Sequence, residues 1–445
     1  MGRGSIRIGS GAGFSGDRID PAVALAERGE LDYLVFECLA ERTIALAVRA
    51  RRDNPDSGYD PLLEERLAAV LPAAIANKVK IISNMGAANP VAAARATAAL
   101  ARKIKLGPLK IAAVTGDDVL AKISPEAPLL EGGTVAQWPG ELIAANAYLG
   151  GEPLAQALAQ GADIVITGRV ADPSLFLAPM VNALGWSWDD WPLLGQGTVV
   201  GHLLECAGQV SGGYFADPGV KDVAGLADLG FPFADIAANG DAIIAKLDGS
   251  GGCVTAATCK EQLLYELHDP ARYLTPDVTA DFRGVRLEEI GRDRVAVSGG
   301  TGAQRPDQLK VTLGYHEGFI GEGQISYGGP GCVARGQLAL AIVEERLRRQ
   351  GVELADLRLD LIGVNSIAPA ASAPATQTEV RARVAARART PQAAARIGRE
   401  VEALYTNGPA GGGGVSHGVK PVIGVASMLL PRERVSPRID WEIVP

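Results

Sequence analysis

The sequence predicts an α/β fold. Its N-terminal half reads as a mostly parallel sheet with flanking helices, doubly wound, and its C-terminal half as α+β. Three observations predict this. Short apolar runs alternate with helical patterns up to about residue 175, with connections long enough for right-handed crossovers. Those runs end in polar loops, most of them containing glycine. From Arg294 onward the chain becomes β-rich.

Taken in order, Ile6–Gly9 is a short strand running into Ser10–Arg18, a loop with three glycines. Pro21–Arg28 is a helix stopped by Gly29. Leu31–Phe36 is a strand ending at Glu37-Cys38, followed by a helix from Leu39 to about Arg52. Asp53–Gly58 has turn chemistry, and Pro61–Ala76 is a helix. Val79–Ser83 is a strand, and the alanine-rich helix Val91–Ile104 follows Pro90 at its first turn. Leu109–Val114 is a strand ending at Thr115–Asp118, and 119–138 reads as helix plus an irregular insertion. Ile143–Leu149 fits a strand or a helix end. Pro153–Gln160 is a helix. Ile164-Val165-Ile166 is a continuous apolar run, as a strand buried on both faces requires. Thr167-Gly168-Arg169 leave its carboxyl end, and Asp172-Pro173 read as an N-cap and first helical residue. Parallel strands share one sense, so the loops 10–18, 37–41, 84–90, 115–118 and 167–172 fall on one edge of the sheet. Ligands of α/β sheets bind at that edge.

Thr198–Val210 reads as a helix bearing His202, Glu205 and Cys206, and Cys259–Leu267 as another. Arg294–Ser298, Lys310–Tyr315, Gly318–Ser326 and Asp360–Asn365 read as strands, and Gly336–Gln350 as a helix. Thr376–Arg389 alternates apolar and polar residues and fits a strand or an amphipathic helix. Pro391–Tyr405 is a helix before the glycine run 408–414. The expected domains are 1–285, α/β with the ligand site at the strand carboxyl ends, and 286–445, α+β.

The 445 residues are 47% hydrophobic and 21% charged, enough apolar matter for a large core and inconsistent with global disorder. A formal net charge of −8 argues against sequence-independent nucleic-acid binding. The five cysteines form no Cys-x-x-Cys and read as reduced thiols. No apolar stretch approaches the roughly 18 residues of a membrane span, and no signal-peptide pattern appears. The expected protein is cytoplasmic, with no membrane or nucleic-acid partner, and homo-oligomeric.

The loop 10–18 matches Gly-x-Gly-x-x-Gly through Gly11, Gly13 and Gly16. It follows a strand and precedes a helix, so its amides can cradle an anion. The alternatives are a Rossmann-like nicotinamide or flavin site, or a merely tight turn. No Lys-Ser/Thr follows, so it is not a P-loop. Ser15, Asp17 and Arg18 are further candidates there, Asp17-Arg18 fitting equally a structural pair. Glu37 and Glu41, four apart, share a helical face at a strand end. Asn84, Asp117 and Asp118 sit at other strand ends. Adjacent acids suit a divalent metal or a cap, and no metal is assigned. Arg169 carries a fork for a carboxylate or phosphate, or forms an Arg169–Asp172 pair that only fixes the loop. His202 and Glu205 lie on one helical face as a general acid/base pair or a hydrogen-bonded core pair. Cys206 is a nucleophile candidate or an inert buried thiol. Lys260 contacts a ligand anion or is solvated. Asn407, Gly411 and Gly412 belong to a glycine loop that approaches a ligand or acts as a hinge.

Nine segments together resemble a known family. They are Gly13–Arg18, Glu37–Thr43, Ser83–Pro90, Thr115–Asp118, Gly161–Pro173, Gly201–Cys206, Gly212–Pro218, Lys260–Glu266 and Tyr405–Gly412. The chain resembles the acyclic terpene utilisation (AtuA) family over nearly its whole length. The resemblance implies catabolism of citronellol- and geraniol-type compounds alongside acyl-CoA carboxylation, with a carbon–carbon lyase step on a branched 3-hydroxyacyl-CoA. Many members carry a further small C-terminal domain; the chain stops at Pro445, so that domain is expected to be absent. The resulting expectation is an enzyme, a lyase or hydratase, acting on an anionic carboxylated or CoA-linked small molecule. The alternatives are an accessory subunit of an acyl-CoA carboxylase-type assembly, with an acyl-CoA pathway enzyme as partner, and a nicotinamide- or flavin-dependent enzyme. No cofactor is firmly implied; a CoA thioester enters only as a substrate moiety.

Overall fold

A computed structural model describes residues 3–367 and 377–445. In chain order the elements begin with β1 (Ser5–Ala12), α1 (Asp20–Arg28), β2 (Tyr33–Phe36), α2 (Glu41–Asp53), α3 (Leu63–Ala76), β3 (Lys80–Ser83), α4 (Pro90–Lys103) and β4 (Leu109–Thr115). There follow β5 (Glu141–Ala147), α5 (Glu152–Ala159), β6 (Ile164–Thr167), α6 (Asp172–Leu184), α7 (Trp191–Glu205), β7 (Pro232–Ala237), β8 (Ala242–Lys246) and α8 (Ala256–Leu264). The remainder comprises β9 (Tyr273–Leu274), β10 (Thr279–Asp281), β11 (Arg286–Gly291), β12 (Arg294–Ser298), β13 (Thr301–Ala303), β14 (Gln308–Gly328), α9 (Cys332–Arg349), β15 (Ala355–Ile362), β16 (Glu379–Ala388), α10 (Pro391–Glu402), α11 (Leu404–Asn407), β17 (Gly413–Pro431) and β18 (Arg438–Val444).

Two compact units result, each assembled from separated stretches of chain. The first comprises Met1–Gln137, Ile143–Gly314 and Val425–Pro445, and the second Trp138–Leu142 and Tyr315–Gly424. This partition by compactness is a different cut from the expected one at 285/286.

The ten-stranded sheet of the first unit runs β11-β12-β8-β7-β1-β2-β3-β6-β4-β18. Its centre, β1-β2-β3-β6-β4, is parallel. The strands outside it are antiparallel on both sides. The fold is therefore α/β with a mixed sheet, which corrects the expectation of a mostly parallel, Rossmann-like one. Only the central strands read as continuous apolar runs, because helices cover both their faces. On one face α1, α3 and α4 share a core with the strands, through Leu25, Leu67 and Ala98 against Leu34, Ile81 and Ile111. On the other, α6 packs on β1 and β2, α7 on β1 and β7, and α5 on β4 and β6. Buried alanines on α4 let its backbone approach closely, and Asn89 caps it by accepting from the Ala92 amide.

Several boundaries moved. β1 runs on through Ala12, so Gly11 is strand rather than loop. Residues 119–138 hold only two 3-10 turns, not a helix. Lys310–Tyr315 and Gly318–Ser326 are one strand, β14. Ile143–Leu149 resolves to a strand, and the alternating stretch to β16; its first residue, Thr376, lies outside the described residues.

In the second unit α9 and α10 pack on the sheet β15-β16-β14-β17. The period of two on β16 explains its sequence: Val380, Ala382 and Val384 enter the helix-facing core, while Arg383 pairs with Glu322 and Asp360. No helix among the described residues is long and apolar enough to cross a membrane.

Candidate active site at the sheet edge

The glycine loop after β1 is closed on itself. Gly13 and Arg18 donate their amides to the two Asp17 carboxylate oxygens at 2.9 and 3.0 Å. The buried Arg66 guanidinium binds the Ser15 and Asp17 carbonyls, and Arg18 binds those of Leu226 and Ala227. A Cβ on Gly11 would lie 2.5 Å from the Phe36 ring, and one on Gly13 2.5 Å from the Cys206 carbonyl carbon. Packing requires these two glycines. The anion cradle expected of Gly11, Gly13, Ser15, Gly16, Asp17 and Arg18 is thus filled by the loop's own aspartate, and the dinucleotide-like spacing has a structural origin.

The strand ends converge as their shared sense demands. Glu37 follows β2 and accepts from the Leu39 amide at 2.9 Å and the Asn84 side-chain amide at 2.8 Å. Asn84, after β3, also accepts from Cys38 N at 2.7 Å. Asp117, after β4, accepts from Arg169 N at 3.0 Å and from the Asn146 amide at 2.9 Å. Glu37 precedes α2 rather than lying on it, so Glu37 and Glu41 do not share a helical face. Glu41 instead accepts from the Tyr148 hydroxyl at 2.5 Å.

Arg169, after β6, is only 1% exposed. Its guanidinium donates to the Val170 and Leu39 carbonyls and to Asp172, and it lies over the Tyr148 ring. Asp172 is therefore not the N-cap of α6; it is the first helical residue, and its carboxylate goes to Arg169. The fork expected to hold a ligand carboxylate or phosphate is largely occupied within the protein. The loop-fixing pair is what the structure contains.

On α7, the spacing of three places His202 and Glu205 on one face. His202 Nδ1 lies 2.7 Å from Glu205 Oε1, and both residues are buried. Neither His202 Nε2 nor Glu205 Oε2 has a hydrogen-bond partner among the described residues. The Leu263 carbonyl adds a pull toward the protonated ring without reaching hydrogen-bonding geometry to Nε2. Tyr273 and Phe282 pack against the imidazole.

Charge at this edge is lopsided. Burial raises the Glu37, Asp172 and Glu205 carboxyls; Arg169 pulls against the first two and His202 against the third, while the acids raise one another. Burial alone would lower His202, but the charge and hydrogen bond of Glu205 outweigh it. Burial also pushes Asp117 up to about 6. The result is a group of buried carboxyls held above their ordinary range around one guanidinium. Burial and Glu205 raise the Cys206 thiol, which favours the inert-thiol reading by disfavouring the thiolate a nucleophile needs. No group of three or more His, Cys, Asp or Glu among the described residues is placed to hold a metal ion.

A model of the acyclic terpene utilisation family protein AtuA matches residues 6–441. The chain belongs to this family. No curated protein and no solved structure matches it. Not every segment of the AtuA-family resemblance meets at the sheet edge. Lys260 is exposed on α8. Asn407, Gly411 and Gly412 belong to the second unit, where Asn407 bonds to the Ala403 carbonyl and the Thr406 hydroxyl, and Gly412 packs against Ile325 and Tyr327. The structure adds Asn146, Tyr148 and Tyr273, which the sequence reading missed. Tyr148 ends an alanine-rich run and Tyr273 follows Arg272, neither within a motif, so only three-dimensional contact reveals them. Asn146 lies near the end of β5, and a firm strand assignment there would have flagged it.

Proposed function

We propose that this chain catalyses a proton-transfer step of acyclic terpene breakdown, a lyase or hydratase reaction on a branched carboxylated or CoA-linked substrate. One observation carries the reading: among the described residues the buried Glu205 Oε2 has no hydrogen-bond partner, while Oε1 holds His202. An unpaired polar atom in a low-dielectric site is costly unless something uses it. With its pKa raised by burial and by the Glu266 charge, Glu205 is suited to protonate a departing oxygen. In the reverse sense it accepts a hydroxyl proton while His202 carries the compensating charge. Glu37 lies near enough for the Glu205 charge to raise its carboxyl, so it is the second proton carrier of the reading. Arg169 acts as a positioning residue, holding Asp172 and the Leu39 carbonyl in place.

The test is turnover of branched 3-hydroxyacyl-CoA thioesters by Glu205→Gln and His202→Asn proteins. Positioned acid–base catalysis contributes about 10²–10⁴-fold. Glu205→Gln should lose kcat within that range, and His202→Asn should shift the pH profile as well as lower kcat. Wild-type turnover in both variants would overturn the assignment.

A further inference from the structure

We propose that the small cavity between the start of α5 and the Arg305 and Arg432 guanidinium groups binds an oxyanion, a carboxylate or phosphate group. It has a volume of about 140 Å³, room for one such group. Its polar wall comprises Arg305, Arg432, Asp277, Glu152 and the Gly150 backbone, and its apolar wall includes Leu309 and Val435.

The argument is one of unfilled guanidinium geometry rather than of net charge: among the described residues Arg432 makes no ion pair within 4.0 Å and is hydrogen-bonded only through Nη2. Arg432 Nη2 donates to the Pro276 and Pro306 carbonyls, at 2.5 and 3.0 Å. Carbonyls orient a guanidinium but bring no countercharge. Three acids bear on it: Asp277, Glu152 and Asp307. Asp277 is committed elsewhere, accepting from the Gly151 amide at 2.9 and 3.0 Å and from the Ser174 hydroxyl at 2.5 Å. Glu152 reaches Arg305 at 3.4 Å but is 60% exposed, and such surface pairs contribute little. Burial and then the Arg305 charge lower the Arg432 pKa, and the three acids do not reverse it. The start of α5 adds the positive end of a helix dipole. A guanidinium fork matches carboxylate and phosphate oxygens.

The cavity wall is joined to the acid cluster by one stretch of backbone. Leu149 donates to the Arg169 carbonyl and accepts from the Ala171 amide. The proposal does not depend on the reaction assigned above, because its test reads binding rather than turnover.

The experiment is calorimetric titration of the full chain with inorganic phosphate and, separately, with isovalerate. Saturable binding of either is expected, and the preferred arm tells phosphate from carboxylate. Arg305→Gln should weaken it at least tenfold. Glu152→Gln, at an exposed position that removes a competing carboxylate, should tighten it severalfold. The proposal is overturned if neither anion binds saturably, if Arg305→Gln binds as wild type, or if Glu152→Gln binds no tighter. Should Arg305→Gln fail to fold, the Glu152→Gln titration decides alone.

Discussion

Arg169 shows how one residue changes meaning on burial. At a strand end it reads as a ligand anchor, because Asp172 is the one countercharge in its own loop. In the fold, Leu39 and Val170 offer carbonyls, Tyr148 offers a ring face, and the guanidinium becomes the fixed charge around which the acids titrate. Asp117 titrates within this environment in a way that can be checked. Burial moves its carboxyl from 3.8 to about 6. The folded protein therefore holds this proton more tightly than the unfolded chain does. The resulting stabilisation is present below about pH 4 and is lost as pH rises through 6. Asp117→Asn should remove that loss. By urea unfolding, the variant should gain on wild type between pH 4.5 and 7, by on the order of 1–3 kcal/mol. A stability difference that stays constant with pH would refute this account of Asp117.

At the scale of elements, the β1–α1 connection and the end of α7 form one packed joint. The sequence offered the loop's glycines as ligand-approach positions. Their neighbours show otherwise, since Gly11 faces Phe36 and Gly13 faces the Cys206 backbone. Gly13→Ala would place a methyl where backbone already lies, at 2.5 Å. Either the loop or the α7 terminus must shift, at a cost of about 1–3 kcal/mol. The expected result is a lower melting temperature with unchanged far-UV circular dichroism. Because Cys206 adjoins Glu205, turnover should fall as well. A melting temperature equal to wild type would mean that the joint is looser than its geometry.

For the whole molecule, the sheet's antiparallel flanks decide what is covered. β18 returns from the C-terminus to pair with β4, from Arg438↔Thr115 to Val444↔Leu109, and Trp441 receives the Lys110 ammonium over its ring. Without it, β4 would be the open edge strand at one end of the sheet. Ending the chain after Ser436 removes seven ladder residues and the buried Val444. Burying one aliphatic side chain and several net hydrogen bonds contributes at least about 3 kcal/mol. The truncated protein should melt lower and elute as aggregate in gel filtration. A monodisperse species melting like wild type would show that β18 is dispensable.

The sequence by itself determined the central strands, most of the helices around them, and the fact that Glu37, Asn84, Asp117 and Arg169 leave parallel strands at one edge. Each of these rests on local information: an apolar run, a glycine, a shared strand direction. It also determined that His202 and Glu205 face the same way, since helical spacing is local too. Tertiary structure alone decided that the sheet is mixed, because pairing β7, β8, β11, β12 and β18 onto the parallel centre involves residues far apart in the chain. It alone decided that Asp17 fills the glycine loop and Asp172 engages Arg169, while Glu205 keeps one oxygen unpaired among the described residues. Occupancy of a donor or acceptor depends on every segment packed against it. A residue's chemistry can be read from its own stretch of chain, but its availability cannot.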